Sequence, residues 1–110
     1  MLKYGLRVKS LQEAAAVSEL FGLQFELHNS SFRGGDYLLA EVQPGSIYIQ
    51  SNHDLLDDEP FEALWPLDQF LICFAGLDDE KWEPYTRLLA PLETSNDVKF
   101  IMKRSVLSGV

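Results

Sequence analysis

The chain has 110 residues, 46% of them hydrophobic and 12% aromatic, and a formal net charge of −8. That length suits one domain over residues 1–110, with enough apolar side chains for a core and too many for intrinsic disorder. The longest apolar run, Phe70–Ala75, excludes a spanning helix of roughly 20 residues, a lone Cys73 excludes an internal disulfide, and the first residues lack a secretory signal, so a cytoplasmic protein is expected.

Leu2, Tyr4, Leu6 and Val8 alternate with Lys3, Gly5, Arg7 and Lys9, the period of a half-buried strand. Ser10 and Glu13 have capping-box spacing ahead of a helix with Leu11, Ala14, Ala15, Val17, Leu20 and Phe21 on its apolar face. Gly22 supplies a left-handed stop. Leu23, Phe25 and Leu27 predict a second strand, Asn29 to Asp36 a glycine-marked loop, Tyr37 to Val42 a third strand and Ile47 to Gln50 a fourth. Pro44-Gly45 reads as a turn with positive φ at its third position, and these three strands as an antiparallel meander.

Asn52 to Gln69 is acidic and interrupted by Pro60 and Pro66; a loop or short helix at the sheet edge is expected. Phe70–Ala75 is apolar on both faces and belongs at the centre of the sheet. Asp78 or Asp79 can cap a second helix holding Trp82, Tyr85, Leu88 and Leu89. Glu83 and Arg87 are spaced to pair along it, while Pro84 confines its start and Pro91 its end. Val98, Phe100 and Met102 then alternate with Lys99, Ile101 and Lys103 as a last strand. The expected fold is α+β: a mixed, mostly antiparallel sheet in order β-α-β-β-β-β-α-β, with two helices on one face.

Charge is concentrated. Residues 34–80 hold no Lys or Arg but eleven acids, Asp36, Glu41, Asp54, Asp57, Asp58, Glu59, Glu62, Asp68, Asp78, Asp79 and Glu80. That segment carries −11, against +1 for residues 1–33 and +2 for 81–110. Direct binding to nucleic acid or to an anionic membrane is disfavoured, since both need a positive footprint. A basic protein or a cation is the natural partner. Lys3, Arg7, Lys9, Lys99 and Lys103 fall at outward strand positions, where they are expected to meet solvent near the acidic block.

No catalytic constellation emerges. Cys73 lies in the most apolar run and reads as a core residue; His28 and His53 read as surface histidines. Gly34-Gly35 lacks the spacing of a phosphate-binding loop. His53, Asp54, Asp57, Asp58 and Glu59 resemble a cation site only loosely, without the central glycine and bidentate glutamate of an EF-hand. No enzyme activity, metal or cofactor is expected. The candidate partner-binding surface is Asp54, Asp57, Asp58, Glu59, Glu62 and Asp68, with Trp65 as aromatic anchor. Core packing is the competing role for Trp65 and the expected one for Phe70. Asp78, Asp79 and Glu80 are set aside because a helix N-terminus explains acids there.

Ser31-Phe32-Arg33-Gly34-Gly35-Asp36-Tyr37, then Ile47-Tyr48-Ile49-Gln50-Ser51-Asn52 and a proline-punctuated acidic loop, resemble small acidic immunity proteins of bacterial polymorphic-toxin and contact-dependent inhibition systems. The resemblance spans roughly residues 31–75. It implies a cytoplasmic protein that binds one cognate toxin domain, commonly a nuclease, and blocks it without catalysis. The alternative is a small-molecule-binding relative of the vicinal oxygen chelate superfamily, whose β-α-β-β-β module the chain also resembles. Against it, the inward positions of the first strand are Leu2, Tyr4, Leu6 and Val8, with no His, Gln or Glu, and no strand–turn–strand follows Val106.

Overall fold

A computed structural model describes residues 1–103. Its elements are β1 (Leu2–Leu6), α1 (Leu11–Ser18), β2 (Glu26–Ser30), β3 (Gly35–Val42), β4 (Gly45–Ser51), β5 (His53–Asp54), β6 (Glu59–Pro60), β7 (Phe70–Ala75), α2 (Glu83–Thr86), α3 (Ala90–Thr94) and β8 (Val98–Lys103). Six strands form one sheet in the order β2-β3-β4-β7-β1-β8, and β5 pairs with β6 as a separate small hairpin. This is the expected α+β fold. Every pairing within the large sheet is antiparallel, so no parallel component appears among the described residues.

The helical segments share one face. Leu2, Tyr4 and Leu6 of β1, Ile47 and Ile49 of β4, and Ile72 and Phe74 of β7 form a single core with Ala14, Phe21, Trp82 and Leu89. Phe74 is fully buried, with Tyr4, Phe21 and Trp82 rings 5.8, 6.0 and 5.4 Å away. The capping box ahead of α1 forms: Ser10 Oγ accepts from the Glu13 amide at 3.2 Å, and Glu13 accepts from the Lys9 amide at 3.1 Å. Gly22 closes this segment at φ 64°.

Local readings differ at four places. β2 starts at Glu26 and runs on through Ser30, so the loop expected over Asn29 to Asp36 shrinks to a turn over residues 31–34. Its turn-forming side chains bond across and along the hairpin, Asn29 to Asp36 at 2.8 Å and Ser30 Oγ from the Phe32 amide at 3.2 Å. The β3–β4 turn contains a cis Gln43–Pro44 bond, and Gly45 does not adopt positive φ. Glycine is needed there for space instead, because a Cβ would lie 2.7 Å from the Ala75 carbonyl and 2.8 Å from Trp82. Pro91 does not end the second helix: a 3-10 turn over Arg87–Leu89 lets it fall in the first turn of α3, where a missing N–H costs nothing.

The fourth difference bears on function. Residues 52–69 do not lie at the sheet edge; they cross the outer face of β7 and β1, opposite the helices. Trp65, Leu71 and Cys73 form a second buried cluster there, with Tyr48, Phe61 and Ile101 packed against it. The outer face of β1 is therefore covered, where solvent was expected. Lys99 remains exposed, and the Lys103 side chain lies outside the described residues.

Cys73 sits under this cover, 4% exposed. Burial pushes its thiol from 9.0 up to about 11. The fold disfavours the thiolate, so this contribution to stability is complete below about pH 9 and is lost as pH rises towards 11. A bulky thiol-specific disulfide reagent at about pH 8 is expected to label Cys73 far more slowly than an exposed thiol. Immediate stoichiometric labelling of the folded protein would contradict this burial.

Candidate functional site

Asn52 organises the acidic segment. It is fully buried at the end of β4, and its amide nitrogen donates to the carbonyls of Glu62, Trp65 and Pro66 at 3.1, 2.8 and 3.2 Å. Its side-chain oxygen accepts from the Glu62 amide at 2.8 Å, and its backbone bonds to Gln69 and Phe61 at 2.8 and 2.9 Å. One side chain thus satisfies a whole bend that has no regular ladder, which is how an irregular segment can lie buried against a sheet.

The segment divides into two halves with different fates. Its second half is tied down. Glu62 meets Lys3 at 2.6 Å with both side chains largely buried, and Asp68 meets Lys9 at 3.5 Å in the open. Trp65 is 5% exposed, and its ring lies directly on the backbone of Gly5, with the Arg7 guanidinium 5.3 Å from the ring centroid. Burial corrects the anchor role expected for Trp65: a ring held between strand and arginine cannot insert into a partner. The Glu62 carboxylate is likewise taken, neutralised by Lys3.

The first half projects. β5 and β6 form a short hairpin whose turn, Leu55 to Asp58, is exposed. Asp54 accepts from the Leu56 amide at 3.0 Å and the Asp58 amide bonds back to the Asp54 carbonyl at 2.8 Å. Asp58 sits at φ 56°, a conformation that Asp tolerates better than most residues, with its carboxylate 2.6 Å from His53 Nε2. No Lys or Arg pairs with Asp54, Asp57, Asp58 or Glu59 among the described residues. The four predicted acids of the hairpin stand together; Asp68 and Glu62 stand apart from them over β1.

Sequence reasoning missed the apolar part of this surface. Leu55 and Leu56 are 51% and 58% exposed at the hairpin tip, and Phe32 is 75% exposed on the neighbouring 3-10 turn Ser31–Arg33. Leu55 reaches the backbone of Gly35, where a Cβ would meet its methyl at 3.5 Å, so hairpin and 3-10 turn form one surface. Two adjacent leucines between aspartates were the available signal, since a tight turn cannot bury both.

The described residues group no three His, Cys, Asp or Glu in a way that would hold a metal ion. Millimolar calcium or magnesium is expected to leave the melting temperature nearly unchanged, because the Asp54 and Asp58 carboxylates are already engaged within the turn. A rise of many degrees would show a cation site.

Among the described residues no helix is long and apolar enough to cross a membrane. The region after Val106, where the vicinal oxygen chelate pattern breaks off, lies outside the described residues. Comparisons with protein-family models, with curated proteins and with solved structures return no match to this chain.

Proposed function

We propose that the chain is an immunity-type binding protein that neutralises a cognate, basic nuclease toxin domain in the cytoplasm, without catalysis. The supporting observation is the hairpin His53 to Pro60: four carboxylates unpaired by Lys or Arg surround two exposed leucines on a projecting turn. Nuclease domains are basic because they grip phosphates, and a projecting acidic surface attracts them at long range. The exposed leucines add what charge alone does not, a dehydrated centre within a charged rim. Pairing of Glu62 with Lys3 and of Asp68 with Lys9 leaves −4 on the hairpin with no Lys or Arg partner among the described residues.

The direct test is to mix the chain with the basic C-terminal domain of a toxin encoded immediately upstream and to assay nucleic-acid cleavage. Stoichiometric loss of cleavage is expected. Full cleavage at saturating chain, or the absence of any such neighbouring toxin, would overturn the reading.

A further inference from the structure

The outer sheet face carries a second feature that the acidic hairpin does not use. A half-open groove of about 160 Å³ is lined by Met1, Lys3, Phe32, Arg33, Gln50, Phe61 and Cys73. Two of the chain's nine Lys and Arg side chains line it.

Arg33 is the notable member. Its guanidinium lies 3.8 Å from the Tyr48 ring centroid and 5.7 Å from that of Tyr37. That stacking fixes the planar head without consuming its in-plane donors. Its hydrogen bond among the described residues is a long one, 3.5 Å to Gln50 Oε1, and no carboxylate pairs with it. Lys3, by contrast, is committed to Glu62. Gln50 is 6% exposed, and its amide nitrogen has no acceptor among the described residues. The groove thus brings together a preorganised guanidinium fork, an amide donor and two phenyl rings.

Two donors on a planar fork match a carboxylate, and the aromatic walls match an apolar group joined to it. A cavity near 150 Å³ accommodates a benzene-sized molecule, so the size is right for a compact tail. We propose that this groove binds a small carboxylate with a compact apolar tail, its head on Arg33 and Gln50 and its tail between Phe32 and Phe61. The same chemistry is presented by a free organic acid and by the C-terminal phenylalanine of a protein. The groove shares Phe32 with the surface proposed for the toxin domain but uses none of the hairpin carboxylates.

The test is titration of the isotopically labelled chain with benzoate, followed by NMR. Saturable shifts at millimolar benzoate are expected, confined to the groove residues. Benzamide, which lacks the charge, should give none, and Arg33→Gln should weaken benzoate at least tenfold. Arg33→Lys, which keeps the charge and loses the fork, should weaken it several-fold while leaving the rest of the spectrum unchanged. Comparing benzoate with N-acetylphenylalanine and its amide separates the sources: preference for the acetylated acid indicates a chain terminus, preference for benzoate a free acid. A hairpin carrying Asp57→Lys and Glu59→Lys should lose no benzoate binding. Absence of saturable shifts, equal shifts with benzamide or sulfate, or unchanged affinity in Arg33→Gln would each overturn the proposal.

Discussion

Gly5→Ala is expected to destabilise the fold by about 3 kcal/mol, near the upper end for overpacking a core. For a domain of this size that lowers the melting temperature by roughly 12–20 °C. The added Cβ would lie 2.3, 2.4 and 2.6 Å from Cδ2, Cε2 and Cε3 of Trp65. Carbon atoms settle at about 3.5–4.0 Å, so the indole must lift by roughly an ångström, and it has nowhere to lift without pulling on the bend that Asn52 holds. Backbone adjustment is equally blocked, because β1 is paired on both sides, with β7 and β8. The cause is separable from any intrinsic effect of alanine in a strand. In a Trp65→Leu background, itself costing a few kcal/mol through lost packing, Gly5→Ala should cost less than about 1 kcal/mol. Additive costs in the two backgrounds would show that the ring does not rest on Gly5.

The second large effect concerns association. The variant Asp57→Lys, Asp58→Asn, Glu59→Lys changes the charge of the hairpin tip from −3 to +2. Asparagine replaces Asp58 because φ is 56° there, a conformation lysine adopts poorly. Electrostatic steering raises association rates by about 10 to 1,000-fold, so association with a basic toxin domain at low salt should slow by at least about tenfold. The difference should shrink as salt shortens the screening length towards roughly 3 Å. The fold should survive, since Asp57 and Glu59 are exposed. Stopped-flow association at several ionic strengths checks this; equal rates for variant and wild type at low salt would sink the steering role.

Most of the architecture was legible because local signals agreed with one another. Alternation in Leu2 to Val8, the capping box at Ser10 and the doubly apolar run Phe70–Ala75 each placed an element. Leu27 shows the limit. It follows the inward period and yet is 61% exposed, because β2 is an edge strand and the helical layer does not reach over it. The site was half legible. Charge counting singled out Asp54, Asp57, Asp58 and Glu59 as candidates but treated Glu62 and Asp68 as equivalent to them. Nothing in the spacing says that Lys3 and Lys9, more than fifty residues away, would meet those two. Trp65 was ambiguous for the same reason: its partner is the absence of a side chain at Gly5, and a missing Cβ carries no hydrophobic signal. Asn52 carried no signal of its own within the acidic segment, whereas its work is to satisfy three carbonyls at once.

The central claim, that the hairpin His53 to Pro60 is the docking surface, is tested most directly by amide hydrogen exchange. The chain is measured alone and saturated with a basic toxin domain that it neutralises in the cleavage assay. Protection is expected to gather on residues 53–60 and on the neighbouring turn that carries Phe32, with the helical face unchanged. Protection confined to the helical face or to the β2 edge, with the hairpin exchanging as in the free chain, would contradict it.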